Sequence, residues 1–396
     1  MKQIKTYRFK LKPTDAQERI FEQWLGTCRY VYNLCLEYRI VMYKGYNISV
    51  GKYSIQKEIT QIRKEVPWIK AVPAKTLQNV TDRLFITYDN FLKRGASFPK
   101  FAKRRNYKSI TFTEDVKHNG GFISFPKMGD VRFVNSQSIN GTIKRASIIK
   151  EVNGWYVCLC CEVEIEALPP NDKSIGLDLG IKSFVVSSEG QEITNPKHLF
   201  KYQYQLRRAQ RSVSRKKKGG ANRRKAINKL ARVHLKVRNA RKDFHHKLST
   251  QFIRENQAIA VEDLKVKNMV RNHNLAKSIS DAGWSQFIQI LEYKAKWYGR
   301  DFVKVDARHT SQDCSVCGWR NTEMKLSDRV WTCANGHVLD RDINAAINIK
   351  KKAVGHTASA SEIYNRNSGV AEESNTGVSI PVLRRYGYKK SKQNEK

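Results

Sequence analysis

The chain has 396 residues, with 74 Lys and Arg against 36 Asp and Glu, for a formal charge of +38. A surface that basic repels itself unless a polyanion is close, which favours nucleic acid over a small-molecule substrate. No apolar run reaches the roughly 18 residues of a membrane span, and Met1-Lys2-Gln3-Ile4-Lys5 has no apolar core behind it, so neither an anchor nor a signal peptide is expected. A reducing compartment follows, in which the eight cysteines are better metal ligands than disulfide partners.

Residues 3–11 alternate apolar and polar, which predicts a strand. Pro13-Thr14-Asp15 then opens a helix whose apolar face carries Ile20, Trp24, Cys28, Val31 and Cys35. A second helix is expected over about 74–93, with Leu77, Val80, Leu84 and Tyr88 on one stripe. From about 109 to 165 the period returns to two, around Ile110–Thr113, Gly121–Phe125 and Trp155–Glu164. Leu168-Pro169-Pro170-Asn171-Asp172 reads as a linker. The second half alternates strands at 174–180, 183–186, 258–261 and 301–305 with helices over about 197–255 and 284–298, the pattern of an α/β sheet.

The expected organisation is a β-barrel of 1–13 and 106–170 with a helical block, 14–105, inserted. An α/β unit of 171–312 and 339–355 follows, interrupted by a small insertion at 313–338. A tail at 356–396, rich in Ser, Asn, Gly and Lys, is expected to be disordered.

Three acids stand at the rims of apolar elements. Asp178 lies in the run Ile175-Gly176-Leu177-Asp178-Leu179, and Glu262 ends Ala258-Ile259-Ala260-Val261. Asp342 precedes the short amphipathic helix Ile343-Asn344-Ala345-Ala346-Ile347. The carboxyl ends of strands are where ligand sites gather in open α/β sheets. Carboxylates brought together there repel each other, and a pair of divalent cations relieves the repulsion; oxygen ligands suit Mg²⁺. A single acid at such a place is more often a cap or a solvated residue, so it is the set that carries weight.

The pair Cys314-Ser-Val-Cys317 is followed sixteen residues later by Cys333, and His337 in Cys333-Ala-Asn-Gly-His337 is the candidate fourth ligand of a structural Zn²⁺. The alternative is a vestigial knuckle without metal. Cys28, Cys35, Cys158, Cys160 and Cys161 read as packing residues.

Residues 201–250 hold 18 Lys and Arg and one acid, Asp243. Arg207, Arg211 and Arg215, then Lys225, Lys229, Arg232 and Lys236, recur near helical spacing and suit phosphate neutralisation without sequence preference. Lys216-Lys217-Lys218-Gly219-Gly220 is the expected turn between two basic helices. Phe98–Tyr107 interleaves aromatics with cations, either to stack on unpaired bases or to anchor the barrel.

Taken together, Gly176–Gly180, Asn239–Lys247, Val261–Leu264, Thr310–Gly318 and Asp340–Ala346 resemble the TnpB/OrfB family of insertion-sequence proteins, relatives of the type V CRISPR effectors. Arg29, Asn33 and Phe98–Tyr107 match more loosely. The resemblance implies an RNase H-like (RuvC) nuclease domain with a zinc-ribbon-like insertion, a wedge-like barrel and a helical recognition domain. It implies an RNA-guided DNA endonuclease in a prokaryotic cytoplasm, associated with the nucleoid, binding a guide RNA from its own element and a double-stranded DNA target. Oligomeric state, monomer or dimer, is left open. The family's acids fall on Asp178, Glu262 and Asp342, as ligands of two Mg²⁺ ions, with Asp342 favoured over Asp340. Its zinc cysteines fall on Cys314, Cys317 and Cys333. Where the family usually has a second CxxC, this chain reads Cys333-Ala334-Asn335-Gly336-His337, with the fourth cysteine missing and one residue deleted. The alternatives are a nuclease-inactive RNA-guided repressor, a DNA transposase and a structural RNA-binding protein.

Overall fold

The structure, a computed structural model, describes residues 2–325 and 327–353. The expected tail, 356–396, lies outside the described residues.

The first half pairs a helical layer with a seven-stranded sheet. Strand β1 (Lys2–Lys12) leads into α1 (Asp15–Tyr46), which is followed by α2 (Lys52–Glu65), α3 (Pro67–Lys70) and α4 (Ala74–Arg94). Thr14 starts α1 with a capping box: its hydroxyl accepts from the Gln17 amide while the Gln17 side chain accepts from the Thr14 amide. Strands β2 (Ser109–Phe112), β3 (Lys117–Asn119), β4 (Phe122–Phe125), β5 (Gly129–Phe133), β6 (Thr142–Glu151) and β7 (Gly154–Glu164) then hydrogen-bond in the order β2-β6-β7-β1-β5-β4-β3. Alternation buries Trp155, Val157, Leu159, Cys161 and Val163 of β7 on one face. That face packs against α1, where Phe21 meets Trp155 and Trp24 meets Phe112.

The second half is a five-stranded sheet built from β8 (Ser174–Asp178), β9 (Ser183–Ser187), β10 (Glu192–Thr194), β11 (Ala258–Glu262) and β12 (Asp301–Val305), in the order β10-β9-β8-β11-β12. Strands β8, β11 and β12 are parallel, and β9 is antiparallel to β8. The chain leaves the sheet between β10 and β11 for α5 (His198–Lys201), α6 (Gln203–Ser214) and α7 (Ala221–Glu255). Between β11 and β12 come α8 (Val266–Met269), α9 (His273–Ala282) and α10 (Trp284–Tyr298).

One face of this sheet buries Ile175, Leu177, Ile259 and Val261 against Leu248 and Phe252 of α7 and Phe287 and Leu291 of α10. The Lys294 ammonium ties those helices together, donating to the His246 carbonyl at 2.8 Å, Ser249 Oγ at 2.8 Å and Thr250 Oγ1 at 2.6 Å. Helix α11, residues 341–353, covers the other face, where Ala260 and Val305 pack on Ile349 and Ala353. Gly176 makes this approach possible: a Cβ there would stand 2.1 Å from the Ala346 carbonyl oxygen. Both faces of β8 and β11 are therefore covered, which is why those strands read as unbroken apolar runs.

Between β12 and α11 lies a small hairpin, β13 (Val330–Thr332) with β14 (Val338–Asp340). Among the described residues its core is Cys314, Trp331 and Cys333, with Met324 and Leu339 against them.

Candidate active site and metal centre

The three candidate acids converge by packing geometry. On β8, Gly176 faces α11 at Ala346. Asp178 is two residues further along, so it projects from the same face of the strand. Asp342 lies four residues before Ala346, one helical turn back along α11. Parallel register sets Ala260 beside Gly176 and Val261 beside Leu177, so Glu262 ends its strand level with Asp178.

Electrostatics report the same meeting. The Asp178 carboxyl is pushed up to about 8, first by burial and then by the charges of Glu262 and Asp342, with Arg341 opposing. Glu262 is buried, at 8 % exposure, and its carboxyl is also raised by burial, opposed by a hydrogen bond from Thr310. That bond, Thr310 Oγ1 to Glu262 Oε1 at 2.5 Å, holds the carboxylate in one orientation. Asp342 sits between two guanidiniums: Arg329 Nη1 lies 2.9 Å from Oδ2, and Arg341 Nε lies 3.1 Å from Oδ1. Its neighbour Asp340 does a different job. The Asp340 Oδ1 accepts from the amides of Asp342 and Ile343, both at 3.0 Å, which caps α11.

Cys314, Cys317, Cys333 and His337 offer ligand atoms that all lie within 4.8 Å of one another, the single such group among the described residues. Cys317 Sγ is 3.7 Å from Cys333 Sγ, and His337 Nδ1 is 3.9 Å from Cys314 Sγ and 3.1 Å from Cys333 Sγ. Tetrahedral Zn–S bonds of about 2.3 Å put sulfurs about 3.8 Å apart, so the set fits that ion. The two knuckles close alike. Gly318 donates to the Cys314 carbonyl with φ 78°, and Gly336 donates to the Cys333 carbonyl with φ 82°. The second knuckle places its glycine one step before the ligand instead of one step after, which is how His337 reaches the cluster. The Trp319 backbone holds the Cys317 thiol down at about 6, towards the thiolate that binds metal.

The asparagines of Ile343-Asn344-Ala345-Ala346-Ile347-Asn348 join this centre to the acids. The Asn344 side chain accepts from the Ser315 amide at 2.7 Å and donates to the Asp313 carbonyl at 2.8 Å. Asn348 donates to the Thr310 and Asp313 carbonyls at 2.8 and 2.6 Å. Sequence reasoning passed over Thr310, Arg329 and Asn348; polar residues one turn apart on an apolar helix were the available signal for the asparagines.

The seven basic candidates, Arg207, Arg211, Arg215, Lys225, Lys229, Arg232 and Lys236, are all exposed on the α6–α7 pair, whose contact is a small apolar seam of Leu206, Val233 and Val237. In the Phe98–Tyr107 segment, Tyr107 is a core residue and Phe98 and Phe101 are exposed. Asn33 pins the segment through two hydrogen bonds to the Ala102 backbone, at 2.7 and 3.3 Å. The segment thus divides between anchoring and exposure.

Residues 158–273 match a family profile described as a probable transposase of the OrfB/IS605 type, and 284–349 match a Cas12f1-like TNB domain. Residues 1–47 match a helix-turn-helix profile. In the structure that stretch is a strand and one 32-residue helix. A protein of Streptomyces pristinaespiralis named as an RNA-guided DNA endonuclease is 36% identical over 370 residues, covering 91% of this chain and 92% of that protein. The similarly named InsQ of Escherichia coli K12 is 30% identical over 381 residues, covering 91% and 94%. The Cas12f1 chain from a cryo-EM structure of its complex with sgRNA and target DNA has a TM-score of 0.54 at 13% identity, covering 88% of this chain and 99% of that one.

Proposed function

The chain belongs to the TnpB/OrfB family of insertion-sequence proteins, and from that premise we propose how its residues carry out the family's reaction. It is an RNA-guided DNA endonuclease. Its nuclease unit is the five-stranded sheet with α7, α10 and α11, an RNase H-like (RuvC) arrangement; the seven-stranded sheet serves as the wedge-like unit and residues 14–105 as the recognition unit.

Asp178, Glu262 and Asp342 are the catalytic acids. The observation that carries this is the Asp178 carboxyl, pushed up to about 8 first by burial and then by the nearby charges of Glu262 and Asp342, in a setting of hard oxygen donors. Such a site fits two Mg²⁺ ions, which when bound supply Lewis acidity and an activated water for phosphodiester hydrolysis. Asp178 and Asp342 would hold them. Glu262, oriented by Thr310, would help ligate and position the water. Cys314, Cys317, Cys333 and His337 would hold a structural Zn²⁺.

A guide RNA from the protein's own element would pair with one strand of a double-stranded target, so base pairing reads sequence while the protein reads backbone shape. The exposed Arg and Lys of α6 and α7 would neutralise phosphates. Among the described residues no helix is long and apolar enough to cross a membrane.

Asp178→Ala should lower Mg²⁺-dependent target cleavage by roughly 10³-fold or more while RNA and target binding stay within about twofold. Cutting at the wild-type rate in that variant would overturn the assignment. A wild-type protein that binds guide and target without cutting would point to a repressor, and strand transfer without RNA to a transposase.

A further inference from the structure

The hairpin that carries two of the candidate zinc ligands also delivers a charge to the acid site. Arg329 stands just before β13, and its Nη1 lies 2.9 Å from Oδ2 and 3.4 Å from Oδ1 of Asp342. Two features fix it there. The Arg341 amide donates to the Arg329 carbonyl at 2.7 Å, and the next rung pairs Val330 with Asp340. Asp340 in turn caps the helix on which Asp342 sits. The hairpin register therefore sets the position of the acid and of its counter-ion in one step.

A carboxylate oxygen that accepts from a guanidinium points its lone pairs at that donor. It cannot direct the same lone pairs at an ion shared with Asp178. We propose that Arg329 is a positioning residue for Asp342: it is a resident counter-ion that holds the carboxylate in the assembled site and must yield it when divalent metal binds. Because the pair is half exposed, at 46% and 25% side-chain exposure, the competition is modest. It amounts to roughly two- to fivefold in metal affinity, the range of a partly exposed ion pair.

This inference rests on Asp342 being a metal ligand, and the test separates the two. Mn²⁺ binding is measured by electron paramagnetic resonance titration on the full-length wild type and on Asp342→Asn, Arg329→Gln and Arg329→Lys, with zinc content determined for each. Asp342→Asn should lose the tight Mn²⁺ class; if it binds as the wild type does, the metal-ligand reading of Asp342 is wrong. Given that loss, Arg329→Gln should reach half-saturation at a two- to fivefold lower Mn²⁺ concentration with unchanged zinc, and Arg329→Lys should fall between it and the wild type. Unchanged or weaker Mn²⁺ binding by Arg329→Gln at full zinc content overturns the proposal. Should Arg329→Gln lose zinc or fold, Arg329→Lys decides it: affinity at or below wild type overturns the proposal as well.

Discussion

The carboxylate site and the cysteine–histidine centre stand five residues apart at their nearest point, His337 to Asp342, yet they are assembled in opposite ways. The acids are placed by a scaffold. Asp178 and Glu262 end neighbouring parallel strands, and α11 is pressed onto those strands where Gly176 leaves room. Remove any ligand and that packing still fixes the geometry. The cysteine cluster has a small scaffold of its own: among the described residues, Cys314, Trp331 and Cys333 with Met324 and Leu339. On the function proposed above, one site would be preorganised to bind metal and the other would be organised by binding it.

The largest effect expected from breaking this contrast is on the scaffold. Gly176→Ala would drive a Cβ to 2.1 Å from the Ala346 carbonyl and lift α11 from the sheet. Overpacking of that kind costs about 3 kcal/mol or more, read as a shift in the urea midpoint, and cleavage should fall with it. A variant as stable and active as the wild type would mean α11 does not set the site. Next comes Cys333→Ser. Here cleavage should drop on the order of 10- to 100-fold with loss of zinc, while the main unfolding transition stays in place. If the whole protein unfolds instead, the hairpin is no satellite but part of the scaffold.

The most gradual effect is a pH dependence. The folded Asp178 carboxyl titrates near 8 against an ordinary 3.8. The folded state thus keeps a proton that the unfolded state gives up, and stability from this group is present below about pH 4 and lost as pH rises towards 8. Without Mg²⁺, Asp178→Asn should therefore gain on the wild type in melting temperature between pH 5 and 8, and level off above. A constant difference across that range would show that neither burial nor the neighbouring acids raise the Asp178 carboxyl.

Much of this was legible in the sequence. Strands β8, β9, β11 and β12 and the acids at their rims could be read because strands covered on both faces are apolar throughout, so an acid at the end stands out. The Lys216–Gly220 break between the basic helices was legible because a run of like charges followed by two glycines does not favour a continuous helix. Strand β6 was not, because Thr142–Glu151 carries lysine and arginine on its open face and only Ala146 and Ile148 fully buried. Helix α2 carries a weaker signal, Ile55, Ile59 and Ile62 at helical spacing within an otherwise polar stretch. The pairing of Arg329 with Asp342 had none. It depends on a hairpin register and on the direction of α11, which are properties of the fold.

The place of β1 at the heart of the seven-stranded sheet has a consequence for how the chain is made. Its main partner, β7, spans Gly154–Glu164, and register pairs Lys2 with Glu164. Strand β1 is thus synthesised long before its main neighbour. At roughly 5–20 residues per second, about 150 residues of synthesis leave that strand's edges open for something like 8 to 30 seconds. During that interval α1 to α4, whose contacts are nearer in sequence, can already pack together, so the helical layer is waiting as a platform when the strand is finally enclosed.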